Sequence, residues 1–280
     1  MGMQINTNLA ANNTYRNLAS TQTDMAKSLE RLSSGLRINR AADDAAGLAI
    51  SEGLKSQVGG LTVASRNAQD AVSVIQTAEG SLSEVQTILQ RVRDLAVQAG
   101  NGSNNAESRG AIATEVTALG KELTRISEST NFNGTKLLDN AASTTPLTFQ
   151  IGAGGLAAAD QIEVKLTDVA AIGTAVSTLA TAGFADSAAA LATINTIDGH
   201  ITDVSTSRAS LGADQNRFES VIRNLAVSKE NLTAAGSRIR DTDMAEEMVK
   251  YTRSSILSQA GTAMLSQANQ SNQGVLSLLR

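Results

Sequence analysis

The chain has no cysteine, which excludes disulfides, thiolate nucleophiles and cysteine-bound metals together. Tryptophan is also absent, aromatic residues are only 2% of the chain, and there is one proline, Pro146, near the middle of 280 residues. A core without large rings has to be built from small, regular side chains. Here Ala, Leu, Ile and Val supply most of the 41% hydrophobic content. So little proline leaves both halves free to run helical. This composition suits long helices better than a compact globule. A single histidine, His200, excludes a His-Glu-x-x-His zinc site. The net charge is −4 with no block of one sign, so the clustered cations that neutralise phosphates are missing and nucleic acid is not an expected partner. No stretch is long and apolar enough to span a bilayer, and no membrane association is expected. The first residues, Met1 to Asn8, have neither the basic nor the apolar region of a secretory signal peptide.

What is present is periodic. Ala11, Tyr15, Leu18, Gln22, Met25, Leu29, Leu32 and Leu36 follow a spacing of fours and threes, the seam of a coiled coil with a polar entry at Gln22. A second seam runs through Leu82, Val85, Leu89, Val92, Ala96 and Ala99, and a third through Ile112, Val116, Leu119, Leu123 and Ile126. Between them, Gly100-Asn101-Gly102-Ser103-Asn104-Asn105 is a loop, which predicts an antiparallel helical hairpin. Leu211, Gln215, Phe218, Ile222, Leu225, Lys229 and Leu232 keep heptad spacing with one charged lapse at Lys229. A last stripe holds Leu257, Gly261, Met264, Ala268, Ser271, Val275 and Leu278.

The middle reads differently. Leu147 to Ile151 and Gln161 to Leu166 alternate with period two and predict two strands joined through Gly152-Ala153-Gly154-Gly155, with Ala-rich sequence following. The expected fold class is mainly α: a long antiparallel helical rod with coiled-coil terminal helices and a small β element in the middle. The expected divisions are an N-terminal core helix (1–44), N-terminal rod helices (45–138), a small β or variable tip (139–185), a C-terminal rod helix (186–238) and a C-terminal core helix (239–280).

Both ends lack charge. No ionisable side chain lies between Met1 and Tyr15 or between Ser254 and Leu279. A solvated helix normally carries charge on its outer face. In a homopolymer, however, each charge would meet copies of itself, and uncharged polar groups avoid that repulsion. The ends therefore read as assembly surfaces, with Leu18, Met25, Leu29, Leu32, Leu257, Met264, Val275 and Leu278 as the apolar seam. The Asn- and Thr-rich N-terminal segment is a poor helix former alone. Its weak formers cost roughly 5 kcal/mol relative to alanine, whereas burying Leu18, Leu29 and Leu32 against a partner returns roughly 1.5–3 kcal/mol each.

Residues that suggest chemistry have plainer readings. Asp43 and Asp44 are adjacent, do not face each other on a helix and have no nearby base, so they read as helix-start residues. Gly152, Gly154 and Gly155 lack the flanking strand, helix and lysine of a phosphate loop. Asn133-Gly134-Thr135 matches a glycosylation triplet, a pattern that arises often by chance. No catalytic constellation, cofactor site or metal site is expected.

Several long strings resemble bacterial flagellin. They are Ile5-Asn6-Thr7-Asn8, Ser28 through Asn39 (SLERLSSGLRIN), Ala42 through Ser51 (ADDAAGLAIS), Gln90 through Gln98 (QRVRDLAVQ), Phe132-Asn133-Gly134 and Arg240 through Glu247 (RDTDMAEE). The resemblance covers about 1–140 and 195–280. It implies a filament subunit for motility, secreted unfolded through the flagellar channel and assembled at the tip as a homopolymer. Its partners would include a flagellar export chaperone, the filament cap and hook-associated proteins. The chain lacks the large outer domains many family members insert, so it resembles a near-minimal flagellin. In the family, the surface matching Gln90, Arg91, Leu95 and Glu115 is what Toll-like receptor 5 contacts; the alternative reading is that Leu95 and the Arg91 stem pack between subunits. A hook–filament junction protein shares the N-terminal style and stands as the other functional reading.

Overall fold

A computed structural model describes residues 8–139 and 143–278, with side chains through residue 270. Among the described residues the helices are α1 (Leu9–Ser34), α2 (Ala45–Ala99), α3 (Ala106–Ser129), the single turn α4 (Ala157–Asp160), α5 (Val169–Ala182), α6 (Ser187–Arg240) and α7 (Met244–Leu278). Two small antiparallel sheets complete the list: β1 (Asn131–Phe132) with β2 (Thr135–Lys136), and β3 (Leu147–Gln150) with β4 (Gln161–Val164). The mainly α class expected from composition is the one observed.

Short polar side chains start the helices. Asn8, Asp44, Asn105, Asp168, Asp186 and Asp243 each accept a hydrogen bond from a backbone N–H two or three residues ahead. Each such cap is worth about 1 kcal/mol. Gly35, at φ 72°, ends α1 in the left-handed region that favours glycine, and its N–H donates to the Arg31 carbonyl.

The chain divides into two compact units, 58–229 and the combination of 1–57 with 230–280. In the first unit, Ala68, Ala71, Ile75, Ala78, Leu82, Val85, Leu89, Val92, Ala96 and Ala99 form one unbroken row of fully buried residues on α2. This is the predicted second seam, extended about four turns upstream through Ala68, Ala71, Ile75 and Ala78. On α6, burial recurs every seventh residue: Ala190, Ile197, Val204, Leu211, Phe218 and Leu225. Helices α2 and α6 run antiparallel, since Gly100 meets Ser187, Arg93 meets Asp198, and Glu79 meets Arg208. The hairpin of α2 and α3 is as expected, with the Arg109 guanidinium donating to the Ala99 carbonyl and Arg91 paired to Glu115.

Both predicted strands are present and pair in the register Leu147 with Val164 through Gln150 with Gln161. Phe149 of β3 meets Phe218 of α6 edge-on, with ring centres 5.7 Å apart. The Asn67 side chain donates to the Gln150 carbonyl from α2. Besides the single turn α4, two further features were not predicted. The β1–β2 hairpin turns on Asn133 (φ 49°) and Gly134 (φ 82°), and Asn-Gly suits a turn that needs two positive φ values. The Ala-rich stretch after β4 holds α5, which packs along α3. Gly120 and Gly173 make that approach possible. A Cβ on Gly120 would lie 3.2 Å from the Gly173 carbonyl oxygen, and one on Gly173 would lie 3.1 Å from the Gly120 carbonyl oxygen.

Candidate functional site

The second unit pairs the two ends of the chain. Helices α1 and α7 run antiparallel, as successive contacts show. The Asn8 amide donates to the Ala268 carbonyl, Leu18 lies over Gly261, the Ser28 hydroxyl reaches Glu247, and Leu36 bridges to Asp241. A hydrogen bond from Arg37 N–H to the Arg240 carbonyl (2.6 Å) and one from Thr242 N–H to the Gly35 carbonyl (3.1 Å) lock the junction end.

The face that α1 turns inward is Ala11, Thr14, Leu18, Thr21, Met25, Ser28 and Leu32; on α7 it is Glu247, Tyr251, Ser254, Ser258, Gly261, Leu265 and Ala268. Both rows keep the coiled-coil spacing of threes and fours. Both differ from the predicted stripes at alternate positions. On α1 the expected row shares Ala11, Leu18, Met25 and Leu32, but places Tyr15, Gln22 and Leu29 where Thr14, Thr21 and Ser28 stand. Tyr15 and Leu29 are 64% and 55% exposed. On α7, Gly261 and Ala268 were expected inward and are, whereas Leu257 and Met264 are 51% and 61% exposed, with Ser258 and Leu265 in their places. The side chains of Ser271, Val275 and Leu278, like Ile5, Asn6 and Thr7, lie outside the described residues.

The physical reason for the shift is that small hydroxyl residues let two helices approach closely while meeting their own polar needs. The Thr14 and Thr21 hydroxyls donate to the Ala10 and Asn17 carbonyls one turn back. Gly261 leaves room for Leu18, whose Cδ1 would lie 3.2 Å from a Cβ at that position. Glu247 is only 3% exposed and is the one buried charge of the row. Its carboxylate takes the Ser28 hydroxyl at 2.7 Å and faces Lys250 at 3.7 Å and Arg31 at 3.9 Å. A buried carboxylate without such partners would be strongly destabilising.

The larger apolar residues are consequently left outward. Met248, Val249, Ile256, Leu257 and Met264 on α7, and Leu9, Tyr15 and Leu29 on α1, are all close to half exposed or more. Met248, Val249, Thr252, Arg253, Ile256 and Leu257 line an open groove of about 450 Å³ along α7. Large apolar surfaces of this kind mark interaction sites.

The other predicted positions divide. Gln90 and Arg91 are exposed on α2, and the Arg91 guanidinium donates through Nε (3.0 Å) and an Nη (2.7 Å) to Glu115 Oε1 on α3. Leu95 does not share that surface. It is 2% exposed, because α2 is buried across a wide arc, with α3 beside Arg91 and α6 beside Arg93. Asp43 accepts from the N–H groups of Asn39 and Arg40, which holds its carboxyl below the usual aspartate range. Asp44 caps α2. Both carboxylates are thereby engaged by backbone. The glycine-rich turn folds around its own Asp160, whose carboxylate accepts from Leu156 N–H. His200 Nε2 is buried without a hydrogen-bond partner among the described residues. Among the described residues no group of three or more His, Asp or Glu is placed to hold a metal, and no helix is long and apolar enough to cross a membrane.

The family model for the bacterial flagellin N-terminal helical region matches residues 5–143, and that for the C-terminal helical region matches residues 194–279. The chain is 51% identical to a flagellin of Halalkalibacterium halodurans over 280 residues and 50% identical to a flagellin of Bacillus subtilis over 307 residues. It is 45% identical to the flagellar filament 33 kDa core protein of Treponema phagedenis over 287 residues. Each alignment covers 99% of this chain and all of the relative. Among solved structures, one described as a flagellar hook-associated protein from Vibrio parahaemolyticus aligns with a TM-score of 0.57, covering 71% of this chain and 100% of that one. At 14% identity that likeness is of fold alone. With both terminal helical regions matched and identity near one half across the whole length, this chain belongs to the bacterial flagellin family.

Proposed function

We propose that this protein is a structural subunit that polymerises into the bacterial flagellar filament and serves motility. The observation that carries the reading is the outward apolar face of α7, with Ile256 and Met264 each 61% exposed on a helix that carries almost no charge beyond Arg253. A surface like that is costly on an isolated chain and favourable between copies, where each large side chain returns roughly 1.5–3 kcal/mol on burial. The named relatives at 45–51% identity are flagellins and a filament core protein. The hook–filament junction reading has only the distant likeness of fold.

In this reading the protein acts outside the cell, as a secreted homopolymer, and does no chemistry. An export chaperone, the filament cap and hook-associated proteins are the partners proposed with it. The surface of Gln90, Arg91 and Glu115 is the part of the receptor hypothesis that stands exposed. There the Arg91–Glu115 pair presents a planar cation to a partner such as Toll-like receptor 5. Leu95 would support that surface from beneath.

Electron microscopy of purified protein induced to polymerise tests the reading. Long filaments are expected from the full chain and none from a chain lacking residues 258–280. Discrete short assemblies from the full chain would favour the junction reading.

A further inference from the structure

We infer that the cleft flanking Glu247 is an oxyanion site that clamps α1 to α7. The cleft has a volume of about 240 Å³ and is lined by Asp24, Lys27, Ser28, Arg31 on α1 and Glu247, Lys250, Arg253, Ser254 on α7. Four cations converge there from two helices. Lys27 and Arg31 stand one turn apart on α1, and Lys250 and Arg253 one turn apart on α7, so like charges are neighbours along each helix and meet again across the seam.

The acids present pair closely with only part of this positive charge. Lys250 is held by Glu246 at 2.9 Å and by Glu247 at 3.7 Å. Arg31 has only the distant Glu247 contact at 3.9 Å as an ion pair, and it and Lys27 act on Asp43 at longer range. Glu247 is itself engaged by Ser28. Neither Lys27 nor Arg253 has an ion-pair or side-chain hydrogen-bond partner among the described residues, and Asp24, though it lines the cleft, pairs with none of the four. The site therefore offers donors on Lys27, Arg31 and Arg253, with the Ser254 hydroxyl beside them. A tetrahedral or planar oxyanion is the ligand that accepts from ammonium and guanidinium groups together. It would bind at the rim, with the buried Glu247 below setting the spacing of the cations around it.

Two sources supply that chemistry: a free anion such as phosphate, or a carboxylate of a second copy. The binding arm uses the full chain held monomeric at low concentration. Inorganic phosphate is titrated against chloride at constant ionic strength, and the arginine Nε–H resonances of Arg31 and Arg253 are followed by NMR. Saturable shifts are expected for phosphate and not for chloride. Lys27→Gln and Arg253→Gln should each weaken the binding about tenfold without shifting the melting transition, since both side chains are exposed.

The second arm measures polymer stability with the same two variants. Silence in the binding arm, with polymers of both variants dissociating at several-fold higher subunit concentration and with a weaker salt dependence, assigns the oxyanion to a second copy. Linear, non-saturating shifts in the first arm together with unchanged polymers in the second would overturn the inference. The first arm does not require that the protein polymerise, so its outcome is separable from the proposed function.

Discussion

Ser28 and Glu247 are 219 positions apart in sequence, and the Ser28 hydroxyl donates to the Glu247 carboxylate across 2.7 Å with both side chains buried. The bond ties α1 to α7 at the one buried charge among the described residues of their seam. Ser28→Ala removes the nearest donor and leaves the carboxylate facing cations at 3.7 Å and 3.9 Å. A loss of about 1–3 kcal/mol of pairing stability is expected. Native-state hydrogen exchange reads it directly: amides of residues 18–32 and 247–261 should lose protection while those of 82–99 keep theirs.

The connection between α1 and α2 should loosen in acid. Asp43 accepts from the backbone N–H groups of Arg40 and Asn39, and Glu30 accepts from the Arg40 guanidinium and the Asn39 amide; both carboxyls sit below their ordinary values for those reasons. A group whose folded value is depressed contributes stability above its unfolded value, about 3.9 for aspartate and 4.3 for glutamate. That stability is lost as pH falls through the lower folded value. The amides of Asn39 and Arg40 should therefore stay protected at pH 5 and lose protection, measured against the intrinsic exchange rate at each pH, below about pH 4. Asp43→Asn should flatten this dependence.

Glycine substitutions should separate two kinds of close approach. At Gly120 and Gly173 an added Cβ meets backbone, including Ser177 N at 3.0 Å and Thr124 N at 2.9 Å. Alanine at either site forces α3 and α5 apart, an overpacking cost of about 1–3 kcal/mol that outweighs the gain of up to ~1 kcal/mol in helix propensity. Gly261 differs. Its added Cβ meets only the Leu18 side-chain end, at 3.2 Å, which a small rotation relieves. Gly261→Ala should leave the thermal transition unchanged or raise it, whereas Gly120→Ala and Gly173→Ala should lower it.

These contrasts explain which parts of the fold were legible in the sequence. The rows on α2 and α6 are nearly all apolar, so their period of seven is visible directly. The strands β3 and β4 alternate cleanly, and Asx residues mark the helix starts. Helix α5 was hidden because its buried Ile172, Val176 and Ala180 sit among other small apolar residues that give no contrast between faces. On the α1–α7 seam only alternate positions were misplaced by one: Tyr15, Gln22 and Leu29 on α1, and Leu257 and Met264 on α7. Periodicity assigns the largest apolar residues inward, but Thr14, Thr21 and Ser28 meet their polar needs locally or through Glu247 and allow the tighter fit. Leu95 was misassigned for the opposite reason: a helix flanked on two sides buries more than one stripe.

The one-position offset on α7 gives a way to separate folding from assembly. Met264 and Leu265 are adjacent, yet Met264 is 61% exposed while Leu265 belongs to the inward row with Gly261 and Ala268. Met264→Gln changes only outward surface, so stability should move by about 0.5 kcal/mol or less. If that face is buried between copies, it loses roughly 1.5–3 kcal/mol of contact, and the subunit concentration needed for polymerisation should rise by about tenfold or more. Leu265→Ala should do the reverse at first. It removes half-buried contact with α1, lowering protection of residues 14–21, and weakens polymers only because fewer subunits have their ends paired. Sedimentation of polymer against concentration, with hydrogen exchange on the monomer, distinguishes the two. Unaltered polymerisation by Met264→Gln, with the monomer equally intact, would remove this face of α7 from the assembly surface.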